Sequence, residues 1–310
     1  MEMTADNIAA YESGRLSRHL GILTSSEQEK LRQAVICGAG AGGAGGWTYE
    51  ALARMGVQHF RVADPAVFDA SNVNRQMSSG LAAIGRNKAA SVAERLREIA
   101  PQAEIEVFAD GVTAENIDRF LDGGSAVIDG IDLYALNAKK LLYDKARARG
   151  LGVFSAPVLG FGTALAFFHP TRSPSFEEYF GRIPPASEGA AFRRYIEGLA
   201  MGYFGFRPNL DWPTYMQRVH GGSVPSIGTS CMASGAFVAV AVLDWLLGRD
   251  TIPAVPVTTH LDLMERKIVH TGRMRRSLLK LISGLYLRRV ERRRQSSRER
   301  GNSGNERHSG

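Results

Sequence analysis

Hydrophobic positions along this chain switch between two periods, and each switch marks an element. Ala34-Val35-Ile36-Cys37 is a short continuous apolar run, as a strand buried on both faces would be. A glycine-rich turn follows, and apolar residues then recur at helical spacing at Tyr49, Leu52, Ala53 and Met55. Phe60-Arg61-Val62-Ala63 predicts a second strand, ending at Asp64. Gly85-Arg86-Asn87-Lys88-Ala89 opens a helix expected to run through Arg97. Ala126 to Asp132 predicts another buried strand, ending in Asp129 and Asp132, with a helix over Leu133–Arg149 after it. Val153–Phe168 reads as strand, glycine turn, strand.

The periodicity then weakens. Residues 171–222 are irregular and rich in aromatics, among them Phe176, Tyr179, Phe180, Tyr195 and Tyr215, with helical fragments expected at 187–200 and 211–219. An apolar helix is expected over Met232–Leu247, and a strand pair around 255–259 and 267–270. Strands alternating with helices predict an α/β fold: a Rossmann-like parallel sheet continuing into a mixed sheet with antiparallel strands. The chain divides into a helical arm (1–33), a nucleotide-binding region (34–170), an aromatic insert (171–223), a closing segment (224–272) and a basic tail (273–310).

Strand, glycine turn, helix, strand, acid is the layout of a phosphate-binding βαβ unit. The glycines let backbone approach a phosphate, and the helix N-terminus presents unpaired N–H groups to it. Asp64, about 20 residues further on, is placed to accept from a ribose. Several glycine spacings can be read, including Gly38-Ala39-Gly40 and Gly40-Ala41-Gly42-Gly43-Ala44-Gly45. A dinucleotide dehydrogenase shares this layout but holds its pyrophosphate mainly by backbone. Here Arg75, in Asn72-Val73-Asn74-Arg75-Gln76, and Lys88 add two side-chain cations, which suit a triphosphate whose leaving group gains charge. Asp129 and Asp132 end a strand of the same sheet, where ligands bind, and an acid beside a triphosphate is the usual holder of Mg²⁺. One of the two acids is expected to cap the following helix instead.

Gly-x-Gly-Gly-x-Gly at 40–45, Asp64, Asn-x-x-Arg-Gln at 72–76, Gly-x-x-Lys-Ala at 85–89 and Asp-x-x-Asp at 129–132, in this order, resemble the ThiF/MoeB/HesA family, bacterial relatives of the ubiquitin-activating enzymes. The resemblance covers residues 11–165 closely and 224–247 more loosely. It implies an adenylyltransferase that binds Mg·ATP and a carboxylate and forms an acyl-adenylate and pyrophosphate. Gly40, Gly42, Gly43 and Gly45 form the turn. Asp64 matches the family's ribose acid, and Asn72, Arg75, Gln76 and Lys88 match its ATP-phosphate residues. Asp132 matches its Mg²⁺ and adenylation aspartate. Arg15-Leu16-Ser17-Arg18-His19 looks like the family's Arg-x-x-Arg-Gln, with histidine in place of glutamine. The second arginine, here Arg18, would reach across a homodimer to the partner's ATP. The carboxylate implied is the C-terminus of a ubiquitin-like or sulfur-carrier protein, a peptide or a small acid.

Many such proteins hold zinc with two Cys-x-x-Cys pairs. This chain has only Cys37 and Cys231, which excludes a four-thiolate site. Cys37 reads as a core residue. Cys231, at the start of an apolar helix, is a candidate acyl acceptor because a helix start can lower a thiol's pKa, and it also reads as a small packing residue. The two cysteines and the absence of a signal peptide suit a reducing cytoplasm. Met232–Leu247 is expected to be too short for a membrane span.

Residues 266–310 hold 14 Lys+Arg and 3 Glu, a net +11 within a chain total of +7, which leaves residues 1–265 at about −4. Met274, Leu278, Leu281, Ile282 and Leu285 predict a basic amphipathic helix before a polar end from Gln295. Such a tail suits RNA or an anionic surface, or simply a docked helix. An ATP-dependent tRNA-modifying enzyme acting on a nucleoside carboxylate, and a catalytically silent ATP-binding scaffold, are the alternatives to protein or peptide adenylation.

Overall fold

The computed structural model describes residues 4–182 and 211–272. Helices α1 (Ala5–Leu16) and α2 (Ser25–Gln33) lead into alternating strands and helices: β1 (Val35–Ala39), α3 (Gly43–Arg54), β2 (His59–Ala63), α4 (Lys88–Ile99), β3 (Glu104–Phe108), α5 (Ile117–Leu121), β4 (Ala126–Asp129), α6 (Leu136–Ala148) and β5 (Val153–Ser155). These five strands pair in parallel in the order β3-β2-β1-β4-β5. The chain then turns back through β6 (Val158–Leu159) and β7 (Gly162–Phe168), and β7 runs antiparallel to β5. β8 (Thr258–Asp262) and β9 (Lys267–Thr271) extend the antiparallel edge. Between β7 and β8 lie α7 (Phe176–Phe180), α8 (Trp212–His220) and α9 (Gly228–Leu246).

The inner strands are apolar throughout because both faces are covered. Alternate residues of one strand divide between two cores, as the period of two requires. Ile36 and Ile128 join Leu52, Phe60, Leu96 and Val242 on one side; Cys37 and Val127 join Phe120, Leu142 and Phe168 on the other. α9 packs along α3 on the first side, where a Cβ on Gly235 would lie 2.4 Å from Trp47 Cβ. The strand order reverses between β1 and β4, so a crevice opens at the carboxyl ends of these two strands.

Several boundaries depart from the expected ones. The Ala126 strand ends at Asp129, and α6 begins at Leu136 rather than 133. The intervening amides of Ile131 and Tyr134 bond to the carboxylates of Asp129 and Asp132, 3.2 and 3.0 Å, which favours loop over helix. β8 begins at Thr258, not 255, with Pro256, which has no N–H to donate, left outside it. α9 begins at Gly228 and runs 19 residues, so the expectation that it is too short to span a membrane does not hold by length and composition. Half of it is buried against the sheet and α3. The fragment at 211–219 is α8, while that at 187–200 and the basic tail lie outside the described residues.

The insert's first aromatics pack inward. Phe176, Tyr179 and Phe180 are buried around Tyr143 and Phe168, with ring centroids 5.3 Å apart for Tyr143–Phe176 and 5.1 Å for Phe168–Tyr179. The insert's first helix, α7, therefore belongs to a local core.

Candidate functional site

The glycine turn is fixed by close backbone contact. Gly40 adopts a φ of +96°, and a Cβ there would lie 2.1 Å from Gly130 O. A Cβ on Gly45 would lie 2.0 Å from Gly40 O, so α3 starts against the turn with no space for a side chain. The buried Tyr49 hydroxyl donates to Gly40 O at 2.7 Å. Burial first, then the charges of Asp64 and Asp129, hold that hydroxyl well above the usual phenol range, so it remains a donor. Gly42 is the looser member, with Gln76 Nε2 in ordinary contact at 3.8 Å from its Cβ position.

Asp64 sits at the end of β2, where the sequence places a ribose acid. Its Oδ2 accepts from the Ala41 amide at 2.7 Å and its Oδ1 from the Ala66 amide at 2.8 Å. The acid thus braces the turn from below. Asn87 caps α4 by accepting from the Ala90 amide and donates to Asp64 O at 2.9 Å, tying the helix that carries Lys88 to the end of β2. Lys88 Nζ lies 5.7 Å from the Phe68 ring centroid, a cation–π arrangement.

The Asn72–Gln76 segment curls against the first turn of α3. A Cβ on Gly43 would lie 3.9 Å from Arg75 Cγ, and Arg75 O accepts from Trp47 Nε1 at 3.0 Å. The Arg75 guanidinium donates to Ser71 O at 2.7 Å and to Asn74 Oδ1 at 2.9 Å. The Asn72 carboxamide is turned inward and donates to Asp69, 3.1 Å. Gln76 is buried, and its Oε1 has no hydrogen-bond partner among the described residues. A buried amide oxygen left unpaired marks a place for a ligand donor.

The two acids separate cleanly. Asp132 is exposed in the loop after β4, and its Oδ1 accepts from the Tyr134 amide. Asp129 is buried, with Lys139 Nζ 2.7 and 2.8 Å from its two oxygens, and the Tyr143 hydroxyl and Ser155 Oγ donating to Oδ2 at 2.8 and 3.1 Å. Only Asp132 is thus open to solvent. One exposed carboxylate beside phosphate groups suits Mg²⁺, which keeps several waters and takes few protein ligands.

Arg18 lies elsewhere. Arg15 donates to Ala53 O at 2.9 Å, and Gln28, bonded to His19, donates to Met55 O at 2.8 Å. The arm therefore docks on the C-terminal end of α3, and the 12 residues of that helix put about 18 Å between it and the glycine turn. Arg18 is exposed and forms no hydrogen bond or ion pair among the described residues. It is outside arginine reach of its own chain's turn.

Cys231 falls inside the first turn of α9 rather than before it, 1% exposed. Its Sγ would lie 2.6 Å from a Cβ on Gly43, so it packs directly beneath the phosphate turn. Burial pushes the thiol up to about 11, against a smaller opposing pull from Arg75. The lowering expected at a helix start is not realised here.

Sequence reasoning missed Tyr49, Asn87 and Lys139 as parts of this region. Asn87 carried a signal, since Asn directly before a helical pattern is a cap. Tyr49 read only as helical core, and Lys139 was not singled out.

A parallel sheet with a glycine turn, an acid at the end of the second strand and cations beyond it defines a Rossmann-type fold. Residues 16–278 match the ThiF family, and the chain belongs to that family. It is 34% identical over 125 residues to the tRNA threonylcarbamoyladenosine dehydratase of Haemophilus influenzae, covering 40% of this chain and 48% of that protein. It is 32% identical over 133 residues to MoeZ of Mycobacterium tuberculosis, a probable adenylyltransferase/sulfurtransferase, covering 42% and 34%. The chain thus spans less than half the length of these curated relatives. Among solved structures, E. coli MccB superposes with a TM-score of 0.63 at 14% identity, covering 85% of this chain and 73% of MccB. The ATP complex of the E. coli tRNA N6-threonylcarbamoyladenosine dehydratase TcdA gives 0.56 at 20% identity, covering 80% and 98%. These superpositions show the shared fold.

Proposed function

We propose that the chain binds Mg·ATP in the β1/β4 crevice and adenylates a carboxylate. The carboxylate oxygen attacks the α-phosphorus, the bond to the bridging oxygen breaks, and pyrophosphate leaves. An anionic nucleophile needs no strong base; it needs two anions held in line with their repulsion offset. Arg75 and Lys88 supply fixed positive charge, Asp64 takes the ribose, and Gln76 Oε1 accepts from a ligand hydroxyl. Asp132 would hold Mg²⁺, which when bound neutralises charge on the triphosphate. Arg18, remote from its own turn, would serve the partner subunit's nucleotide in a homodimer. The observation that carries this reading is the meeting of glycine turn, Asp64, Arg75 and the Asp132 loop at one end of the sheet.

The relatives named as tRNA threonylcarbamoyladenosine dehydratases favour a second reading of the substrate. A carboxylate on a modified tRNA nucleoside, once adenylated, can be captured within the same nucleoside with loss of AMP, a net dehydration. Both readings share the first step. ATP–pyrophosphate exchange with Mg²⁺ across carrier-protein C-termini, peptides, small acids and tRNA tests them together. Exchange with one candidate is expected and names the substrate class. ATP binding without exchange for any of them would favour the scaffold alternative.

A further inference from the structure

We propose that Asp129, held by Lys139, is a positioning residue for the loop that carries Asp132. The inference rests on the adenylation reading above. Among the described residues, donors converge on the Asp129 carboxylate from the fold and from the loop. Lys139 on α6, Tyr143 one turn further along it and Ser155 on β5 come from the fold. The Ile131 amide, 3.2 Å from Oδ1, comes from the loop.

The opposite side of the loop is held by the glycine turn. The Gly130 amide donates to Ala39 O at 2.7 Å, and a Cβ on Gly130 would lie 2.8 Å from Gly40 O. Gly130 and Ile131 are thus gripped from two sides, and Asp132 follows directly. The Asp132 side chain is exposed, with its Oδ1 engaged by the Tyr134 amide.

Stability alone is a weak reason for such a pair. Desolvating two charges can cost as much as their attraction returns, and apolar residues of the same volume often fold as well. An apolar pair would give the Ile131 amide nothing to bond. What the ion pair adds is an acceptor at a fixed place, because Lys139, Tyr143 and Ser155 stand on regular elements. Positioning at this precision matters, since about 1 Å of misplacement costs roughly 100-fold in rate. Asp129 and Lys139 transfer no proton in this scheme; they act through Asp132.

The test uses the full chain in two variants. Asp129→Leu with Lys139→Met removes both charges, leaving none buried and unpaired. Tyr143→Phe keeps the ring and removes one donor. Two readouts are taken: the rise in melting temperature with ATP plus EDTA against ATP plus Mg²⁺, and pyrophosphate exchange. The double variant is expected to keep the ATP–EDTA rise, lose the extra Mg²⁺-dependent rise, and slow exchange by about 30-fold or more. Tyr143→Phe is expected to slow exchange about tenfold, the worth of one bond to a charged group, with KM for ATP unchanged. A purely structural role would lower the melting temperature of each variant and leave its ligand-induced rise intact; that result overturns the proposal. If the double variant does not fold, Tyr143→Phe decides on the same readouts. Wild type that binds ATP without exchange would sink the adenylation reading instead, and the Mg²⁺-dependent rise would still judge the positioning.

Discussion

At the scale of single residues, this region is backbone closely packed around a few side chains. Asp132 is exposed and supports only one turn amide, so Asp132→Ala should keep the wild-type fold and melting temperature. It should abolish pyrophosphate exchange; retained exchange would remove the metal role. Gly45→Ala makes the converse prediction. Its Cβ would lie 2.0 Å from Gly40 O, so the turn must shift. ATP affinity by calorimetry should fall at least about tenfold, near 1.4 kcal/mol. The sequence could name Asp64, Arg75 and Lys88 because their motifs are local. It could not separate the roles of Asp129 and Asp132, since both end one apolar run. The partner that separates them, Lys139, stands ten positions on, in no motif. Cys231 was legible as lying near the nucleotide, but its burial beneath Gly43 depends on α9 packing along α3, a contact nearly 190 residues apart in sequence.

At the scale of elements, the arm tests the proposal that Arg18 serves a second subunit. Arg18→Ala should be inactive alone and regain exchange when mixed with Asp132→Ala chains, because each intact site would borrow from the other subunit. Confirmed mixed dimers without recovery would count against that sharing. α2 makes a pH prediction. Glu27 is drawn down to about 2, first by the Thr24 amide and then by Arg249 and the Thr24 hydroxyl. A carboxyl lowered in the fold stabilises above its unfolded value, near 4.5, and loses that contribution as pH falls towards 2. The gap in melting temperature between wild type and Glu27→Gln should therefore be widest above pH 5 and close steadily below it; a constant gap would refute the linkage. The βαβ elements could be read from the chain because each is a local pattern. The start of α9 could not: Gly228-Thr229-Ser230 looks like a turn, yet Ser230 is buried and donates to Gly160 O, which draws the residues into the helix.

At the scale of the whole molecule, charge is segregated. Residues 1–265 are acidic by about 4 and residues 266–310 basic by 11. If the substrate is tRNA, deletion of 273–310 should weaken binding and flatten its salt dependence while ATP affinity stays unchanged; an unaltered salt slope would exclude the tail as the contact. The thiol under the glycine turn has one more consequence. Cys231 touches the first turns of α3 and α9 together, so a thiol reagent can reach it only when those turns part. In a Cys37→Ser background its labelling rate becomes an internal clock for local opening at the nucleotide site, separate from global unfolding. Saturating ATP should slow that clock by the factor with which it favours the closed turn, giving a measure of occupancy that requires neither a substrate nor turnover.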